Sequence, residues 1–319
     1  MKTNSISVII ALCNEEGNIR SLYEELTSSL KELSISYQTI FIDDGSTDGS
    51  FGILEDLARS DEHVEVVKFK RNFGQTAATA AGFNHATGEV IVTMDGDLQN
   101  DPKDIRSLLE KLDEGYDLVC GWRKKRKDRF FTRIVPSYCA NKLISTMTGV
   151  RLHDCGCTLK AYRSSIVKGI KLYGEMHRFL PVLASWEGAR IAELEVGHRA
   201  RRSGKTKYGL MRTAKVLLDI ITIKFLSRYS TKPMYFFGAI GFACLFGAML
   251  SGIALMIRKI FFGFYLIESP LLLLTILLTI LSAIFIMMGL LAEMFSRLYH
   301  ESQNKPTYAI DKILSLRKE

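Results

Sequence analysis

The chain has 319 residues, a formal net charge of +8 at pH 7 and 24% charged residues, yet its mean hydropathy is slightly positive at +0.10. That length accommodates one large domain or two smaller ones with real cores. So many charges with a positive hydropathy exclude a chain of uniform character; two unlike regions are being averaged.

In chain order, the first 120 residues alternate between strand-like and helix-like periods. "MKTNSISVII" has neither the long apolar core nor the cleavage pattern of a signal peptide, and "SISVIIAL" reads as a buried strand. Ile19, Leu22, Tyr23, Leu26, Leu30 and Leu33 form a helical stripe. "YQTIFIDD" is a second strand, followed by a helix from about Asp48 to Arg59. "VEVVKFK" and an Ala-rich helix near Gln75 to Ala86 come next, then "GEVIVTMD", a helix from Pro102 to Glu114, and "YDLVCGW". This alternation predicts an α/β fold, a mainly parallel, Rossmann-like sheet covered by helices on both faces.

Ligands of such sheets collect at the carboxyl ends of the strands. Those ends read "CNEEGN", "DDGSTDGS", "KRNFGQ", "DGDLQND" and "GWRKKRK", so acids and cations crowd one predicted rim. The G-x-G-x-x-G and G-x-x-x-x-G-K-[ST] loops are missing, which disfavours a dinucleotide dehydrogenase and a P-loop ATPase. Asp95-Gly-Asp97 at a strand end suits a divalent cation, Mg²⁺ or Mn²⁺, sharing hard oxygen ligands with substrate phosphates. Gly96 would allow close backbone approach, and Gln99 adds a neutral oxygen. Asp43 or Asp44 is placed to accept from a base N–H or ribose hydroxyls, while Ser46 or Asp48 serves equally well as the cap of the next helix.

Beyond the sheet, Arg123 to Arg133 carries seven cations against one acid. In "KYGLMRTAKVLLDIITIKFLSRYS", Arg212, Lys215 and Asp219 share a helical face. Leu210, Met211, Ala214, Leu217, Leu218 and Ile221 lie largely opposite. Basic amphipathic helices beside membrane spans are expected in the headgroup layer, so anionic lipid is favoured over nucleic acid as the partner of this charge. Pro233 to Ile257 gives 25 residues without a charge and Ser269 to Ala292 gives 24 more, each long enough to cross a bilayer. Between them lie Arg258, Lys259 and Glu268. The opposite flanks, with Arg228, Lys232 and Arg297, are more basic, so the main domain and both termini are expected in the cytoplasm. The expected organisation is a sheet domain over 1–125, an acceptor-side region with interface helices over 126–232, two spans within 233–295 and a cytoplasmic tail over 296–319. Six scattered cysteines fit a reducing compartment, and Cys155-x-Cys157 lacks a second pair for zinc. Gly238, Gly241, Gly247 and Gly252 in the first span permit close helix packing.

The ordered set "IIALCNEEGNI", "FIDDGSTDGS", "KRNFGQTAATAAGF", "VTMDGDLQNDP", "DCGCTLKAYR", "GEMHRFLPVLA" and "RSGKTKYG", followed by two spans, resembles the polyprenyl-phosphate glycosyltransferases of glycosyltransferase family 2. These include bactoprenol glucosyltransferases and dolichol-phosphate mannose synthases, and the resemblance covers about residues 5 to 295. It implies a GT-A core, a nucleotide-sugar donor, a divalent metal, a lipid phosphate acceptor and a homotetramer. Asp95, Asp97 and Gln99 would hold metal and diphosphate; Asn14, Glu15 and Asp43/Asp44 would contact the nucleoside. Asp154 matches the acceptor-side aspartate, as base or as positioning group, and Arg201, Thr206 and Lys207 match an element that handles phosphate charge. Arg123 and Arg126 are candidates to neutralise the acceptor, and His177 and Arg178 reach the rim by resemblance alone. Ala11 and Cys13 stand where family members often carry Pro and Tyr; if that Tyr stacks on the base, Cys13 cannot.

The acceptor phosphate is already a good oxygen nucleophile, with a second pKa near about 6. A single in-line displacement inverts the anomeric centre. Glucose from UDP-glucose is the expected donor, with GDP-mannose, UDP-GlcNAc or an amino-sugar as alternatives. A processive polysaccharide synthase is disfavoured by the lack of Q-x-x-R-W and of further spans, and a non-enzymatic scaffold by the intact acids of the rim.

Overall fold

The computed structural model describes residues 2–124, 145, 149–150, 152–170, 172, 176–199, 233–263, 265, 267, 269–302 and 308–316, with backbone alone for 233, 293 and 296–302. The chain divides into two compact units, Met1–Ile220 with Pro306–Glu319, and Ile221–Lys305.

The first unit is built on an eight-stranded sheet. Its strands are β1 (Ser5–Leu12), β2 (Ser36–Asp43), β3 (Val64–Phe69), β4 (Val90–Asp95), β5 (Leu118–Trp122), β6 (Lys160–Arg163), β7 (Ile191–Glu195) and β8 (Ile310–Ser315), in the order β7-β5-β6-β4-β1-β2-β3-β8. Its helices include α1 (Ile19–Lys31), α2 (Ser50–Ser60), α3 (Gln75–His85) and α4 (Asp104–Asp113), each within a few residues of the predicted span, and the short α5 (Ser164–Val167) and α6 (Leu180–Trp186). The α1 stripe behaves as its spacing demands, with Ile19, Leu22, Leu26 and Leu30 all buried. In α3 the short side chains of Ala77, Ala78 and Ala81 are buried, which lets that helix lie close on the sheet.

The sheet is mixed. β1 pairs in parallel with β2 and β4, β2 with β3, and β5 with β7. β6 slots antiparallel between β4 and β5, and β8 adds antiparallel to β3. Because β6 opposes both neighbours, β5 still points the same way as β4. The carboxyl ends of β1 to β5 therefore share one rim. The sheet also does not stop near residue 125: β6, β7 and β8 come from later segments, and β8 belongs to the stretch read as a cytoplasmic tail. Lys160 to Arg163 was too short to show a period of its own. Ile310 to Ser315 shows no clean alternation because it is an edge strand in which only Ile310 and Leu314 are half-buried, while Ile313 stays exposed.

The loop after β2 fixes the rim. Gly45 has φ +68°, and a Cβ there would lie 2.4 Å from the Arg71 carbonyl carbon, so the 43–46 and 71–74 loops touch backbone to backbone. Gly45→Ala is expected to cost about 2–4 kcal/mol through strain and overlap, lowering the thermal midpoint by roughly 5–10 °C. An unchanged midpoint would show that the loops separate without penalty.

The second unit contains two long helices, α7 (Pro233–Phe262) and α8 (Pro270–Ser302), both long and apolar enough to cross a membrane. α7 continues through Arg258 and Lys259, which the sequence had placed in the connection. A Cβ on Gly241 would come within 2.8 Å of Ile286 Cγ1, and one on Gly247 within 3.3 Å of Leu278 Cδ1. The Ser251 and Thr275 hydroxyls hydrogen-bond across the pair at 2.8 Å. These small residues thus pack α7 on α8 of the same chain. Outward apolar side chains stay exposed, Leu273 at 73% and Phe262 at 70%, as in a surface that faces lipid.

Candidate active site

At the head of the rim the loop after β1 is laced to the loop after β2. The Asn14, Glu15 and Glu16 amides donate to Ser46 Oγ, Ser50 Oγ and Asp48 Oδ2 at 2.9, 3.0 and 3.3 Å. In return the Thr47 amide donates to Asn14 Oδ1 and the Gly49 amide to Glu16 Oε2. Asn14, at φ +54°, therefore braces the neighbouring loop through its side chain as well as its backbone. Ser46 bonds this partner loop, while Asp48 also accepts from the Ser50 amide at the start of α2 at 3.0 Å, although the N-cap itself is Gly49 and neither predicted residue occupies it.

The two aspartates ending β2 do different things. Asp44 holds the Phe73 and Gly74 amides at 2.6 and 2.9 Å, clipping the "KRNFG" loop to the rim. Asp43 is fully buried; its Oδ1 accepts from the Ser46 amide at 2.9 Å, while its Oδ2 has no hydrogen-bond partner among the described residues. A buried carboxylate oxygen left this way is costly unless a ligand supplies the donor. Of the pair, Asp43 is the one with a wholly unused oxygen, Oδ2, among the described residues.

At the end of β4, Asp95 accepts from Gln75 Nε2 on Oδ1 at 2.9 Å and from Thr158 Oγ1 on Oδ2 at 2.8 Å. Burial, then the neighbouring Asp97 charge, push its carboxyl up to about 6, against the pull of the Thr158 hydroxyl and of Arg123 and Lys160. Leu98 adopts φ +61° and turns the chain so that the Gln99 amide donates to Asp97 Oδ1 at 3.2 Å. Gly96 is accounted for by packing, since a Cβ would lie 3.1 Å from Leu12 Cβ. Asp101, the third acid of the cluster, pairs with Arg199 at 2.6 Å, and Arg199 also pairs with Glu25. It belongs to a structural network.

Across the rim the "DCGCT" segment brings a second charged centre. Asp154, 1% exposed, accepts from Arg123 Nε at 2.8 Å and Nη2 at 3.1 Å, a two-pronged pair. Despite burial, the hydrogen bonds and charge of Asp154 raise the Arg123 guanidinium above its ordinary value, so it stays protonated. Arg123 and Asp154, read from sequence as separate acceptor-side groups, are one unit. The Asp154 amide in turn donates to Glu193 Oε1 at 3.1 Å. Burial pushes the Cys155 and Cys157 thiols up to about 11 and Cys120 higher still, so none is a thiolate nucleophile or ligand.

His177 is buried, with Nδ1 2.7 Å from Thr76 Oγ1. Arg178 Nε donates to His177 Nε2 at 3.4 Å. The pair therefore stands beside the start of α3, next to the Gln75 that meets Asp95. Arg126, Arg201, Thr206 and Lys207, and the amphipathic faces from Leu210 to Ile221, lie outside the described residues. Sequence reading missed Gln75, Thr158, Glu193 and the buried Lys160, whose ammonium donates to the Cys155 carbonyl at 3.3 Å. The strings "FGQT" and "DCGCT" contained Gln75 and Thr158, but both are neutral and drew no notice beside the charged residues.

Among the described residues no three or more His, Cys, Asp or Glu side chains form a metal cage. Two adjacent carboxylates, one with its charge disfavoured by burial and by the other, are nevertheless a fitting seat for a hard dication whose remaining ligands come from substrate phosphate and water.

Comparison with known proteins shows the family. The profile "Glycosyl transferase family 2" matches residues 7–170, and the chain belongs to that family: it is a glycosyltransferase. Dodecaprenyl-phosphate galacturonate synthase of Rhizobium johnstonii is 42% identical over 312 residues, covering 97% of this chain and 92% of that protein. Undecaprenyl-phosphate 4-deoxy-4-formamido-L-arabinose transferase of Proteus mirabilis is 34% identical over 319 residues, covering 99% and 96%. Glucosyl-3-phosphoglycerate synthase of Mycobacterium tuberculosis, crystallised with Mn²⁺ and uridine-diphosphate-glucose, superposes with a TM-score of 0.54 at 20% identity over 70% of this chain and 79% of that one. This last likeness shows the fold, a GT-A-like α/β sheet. Glucose as the donor sugar is not supported, because neither sequence relative is named for it.

Proposed function

We propose that this protein transfers a sugar from a uridine-nucleotide donor to polyprenyl phosphate, with inversion, on the cytoplasmic face of a membrane that α7 and α8 cross. The observation that carries the reading is one rim holding three centres side by side: Asp43 with an unsatisfied oxygen, the Asp95/Asp97 pair, and the buried Arg123–Asp154 unit. A nucleoside, a diphosphate and an anionic acceptor need such neighbours. Both sequence relatives are named for polyprenyl phosphates, and the fold neighbour holds Mn²⁺ with a uridine donor.

Asp95 and Asp97, with Gln99, would hold the cation, Mg²⁺ or Mn²⁺, which when bound offsets charge developing on the leaving diphosphate. Asp43 accepts from the nucleoside. Arg123 presents a permanent positive charge to the acceptor phosphate, joined by Arg126, Arg201, Thr206 and Lys207. Asp154 fixes that guanidinium; its burial and its two-pronged pairing suit positioning better than proton uptake, and a phosphate nucleophile has little proton to lose. Galacturonate is the first donor sugar to try, on the name of the 42% relative, followed by the formamido-arabinose.

A panel of labelled UDP-sugars and GDP-mannose, incubated with membranes holding the full chain and then extracted with organic solvent, tests this. Label is expected in polyprenyl phosphate from UDP-galacturonate or the formamido-arabinose donor, at least about tenfold above UDP-glucose, a discrimination within reach of a few specific contacts. Label in protein or glycan with none in lipid would refute the acceptor.

A further inference from the structure

We infer that Gln75 and Thr158 are positioning residues for the cation seat, holding the Asp95 carboxylate in its ligating orientation from two separate elements. The inference rests on the reading of Asp95 and Asp97 as that seat. A terminal carboxylate swings about a broad, roughly two-fold torsion. Here one oxygen accepts from Gln75 Nε2 at 2.9 Å and the other from Thr158 Oγ1 at 2.8 Å, which pins the plane of the group at both ends.

Neither donor is on β4, and neither is loosely held. Gln75 opens α3, and its own carbonyl accepts from Thr79 Oγ1 at 2.9 Å. Thr158 precedes β6, and its carbonyl accepts from Thr93 Oγ1 at 2.7 Å, so β4 grips the residue that grips Asp95. Asn100 closes the same knot. Its Oδ1 lies 3.3 Å from Thr158 Oγ1 and 3.4 Å from the Asp95 amide. Both donors are neutral, which is what the site requires: they fix direction without cancelling the negative charge that attracts a dication. Partners of this kind around ligating groups change metal affinity by roughly 10–100-fold.

Thr158 has a second consequence. It ends the five-residue "DCGCT" segment that Asp154 begins, and the Cys157 amide donates back to the Asp154 carbonyl at 3.4 Å. The same short turn therefore meets Asp95 at one end and Arg123 at the other, setting the cation seat in register with the acceptor-side charge.

The test is Mn²⁺ binding to the full detergent-solubilised chain in the presence of UDP, read by electron paramagnetic resonance, beside the thermal midpoint without metal. Thr158→Val and Gln75→Met are expected to weaken Mn²⁺ binding roughly 10–100-fold, while Thr158→Ser, which restores the hydroxyl, stays within about threefold of the parent. Weakening in Thr158→Val that Thr158→Ser does not rescue, or Thr158→Val and Gln75→Met both binding within about twofold of the parent, overturns the inference while leaving the cation seat intact. A parent chain whose Mn²⁺ binding is insensitive to Asp95→Asn overturns the seat itself, and this inference with it.

Discussion

Asp95→Asn and Asp97→Asn are each expected to lower sugar transfer to lipid about 1000-fold or more, the loss of roughly 4 kcal/mol of transition-state stabilisation, without destabilising the metal-free protein. The second half of that expectation is the unusual one. Burial and Asp97 raise the Asp95 pKa from its ordinary range to about 6. A carboxyl raised on folding stabilises the protein while protonated, and that contribution is lost as pH climbs through the folded value. At pH 7 the metal-free fold therefore carries a penalty of about 2–3 kcal/mol at this position. Asparagine removes the charge and keeps a carbonyl for Gln75 and an amide for the Thr158 hydroxyl. Differential scanning at pH 7 without metal should show an unchanged or higher midpoint in Asp95→Asn, together with loss of activity. A lower midpoint with activity retained would mean that Asp95 is structural.

The second large effect concerns the pair at the other side of the rim. Asp154→Ala leaves the Arg123 guanidinium in a mostly buried setting without its carboxylate, and removal of one partner of a buried pair costs about 3–5 kcal/mol. Arg123→Met paired with Asp154→Leu removes both charges and should recover most of that stability while remaining inactive. In activity the two single alanine variants are expected to fall together, and the double to be no worse than the poorer single, as for groups acting as one unit. If Asp154 served instead as an independent proton acceptor, Arg123→Ala would retain far more activity than Asp154→Ala. A thermal double-mutant cycle and initial rates on the same proteins separate the two.

Much of this molecule was legible in its residues because the physics behind the legible parts is local. The α1 stripe, the first four strands and the two charge-free runs each carry a period or a length that one segment decides alone. The acids of the rim were visible because charged residues after strands are few and conspicuous. What escaped depends on partners distant in sequence. β6 is four residues long and is held by antiparallel pairing to β4 and β5, both distant in sequence. β8 is recruited to the open edge of β3 from more than 200 residues away. The Arg123–Asp154 pair joins positions 31 apart, and the Gln75 and Thr158 bonds to Asp95 span 20 and 63. Asp44 shows the reverse case. Its acidity suggested nucleoside contact, and the structure adds two backbone amides that no sequence pattern reveals.

The most direct measurement is the identity and metal dependence of the lipid product. Membranes holding the protein, given a labelled donor and polyprenyl phosphate, should yield a lipid-linked sugar phosphodiester of inverted anomeric configuration by mass spectrometry and ³¹P NMR. Its formation should stop in EDTA and return with excess Mn²⁺ or Mg²⁺. The same product formed at full rate in EDTA, or one that retains the donor's anomeric configuration, would contradict a cation held at Asp95 and Asp97 and a single displacement by the acceptor phosphate.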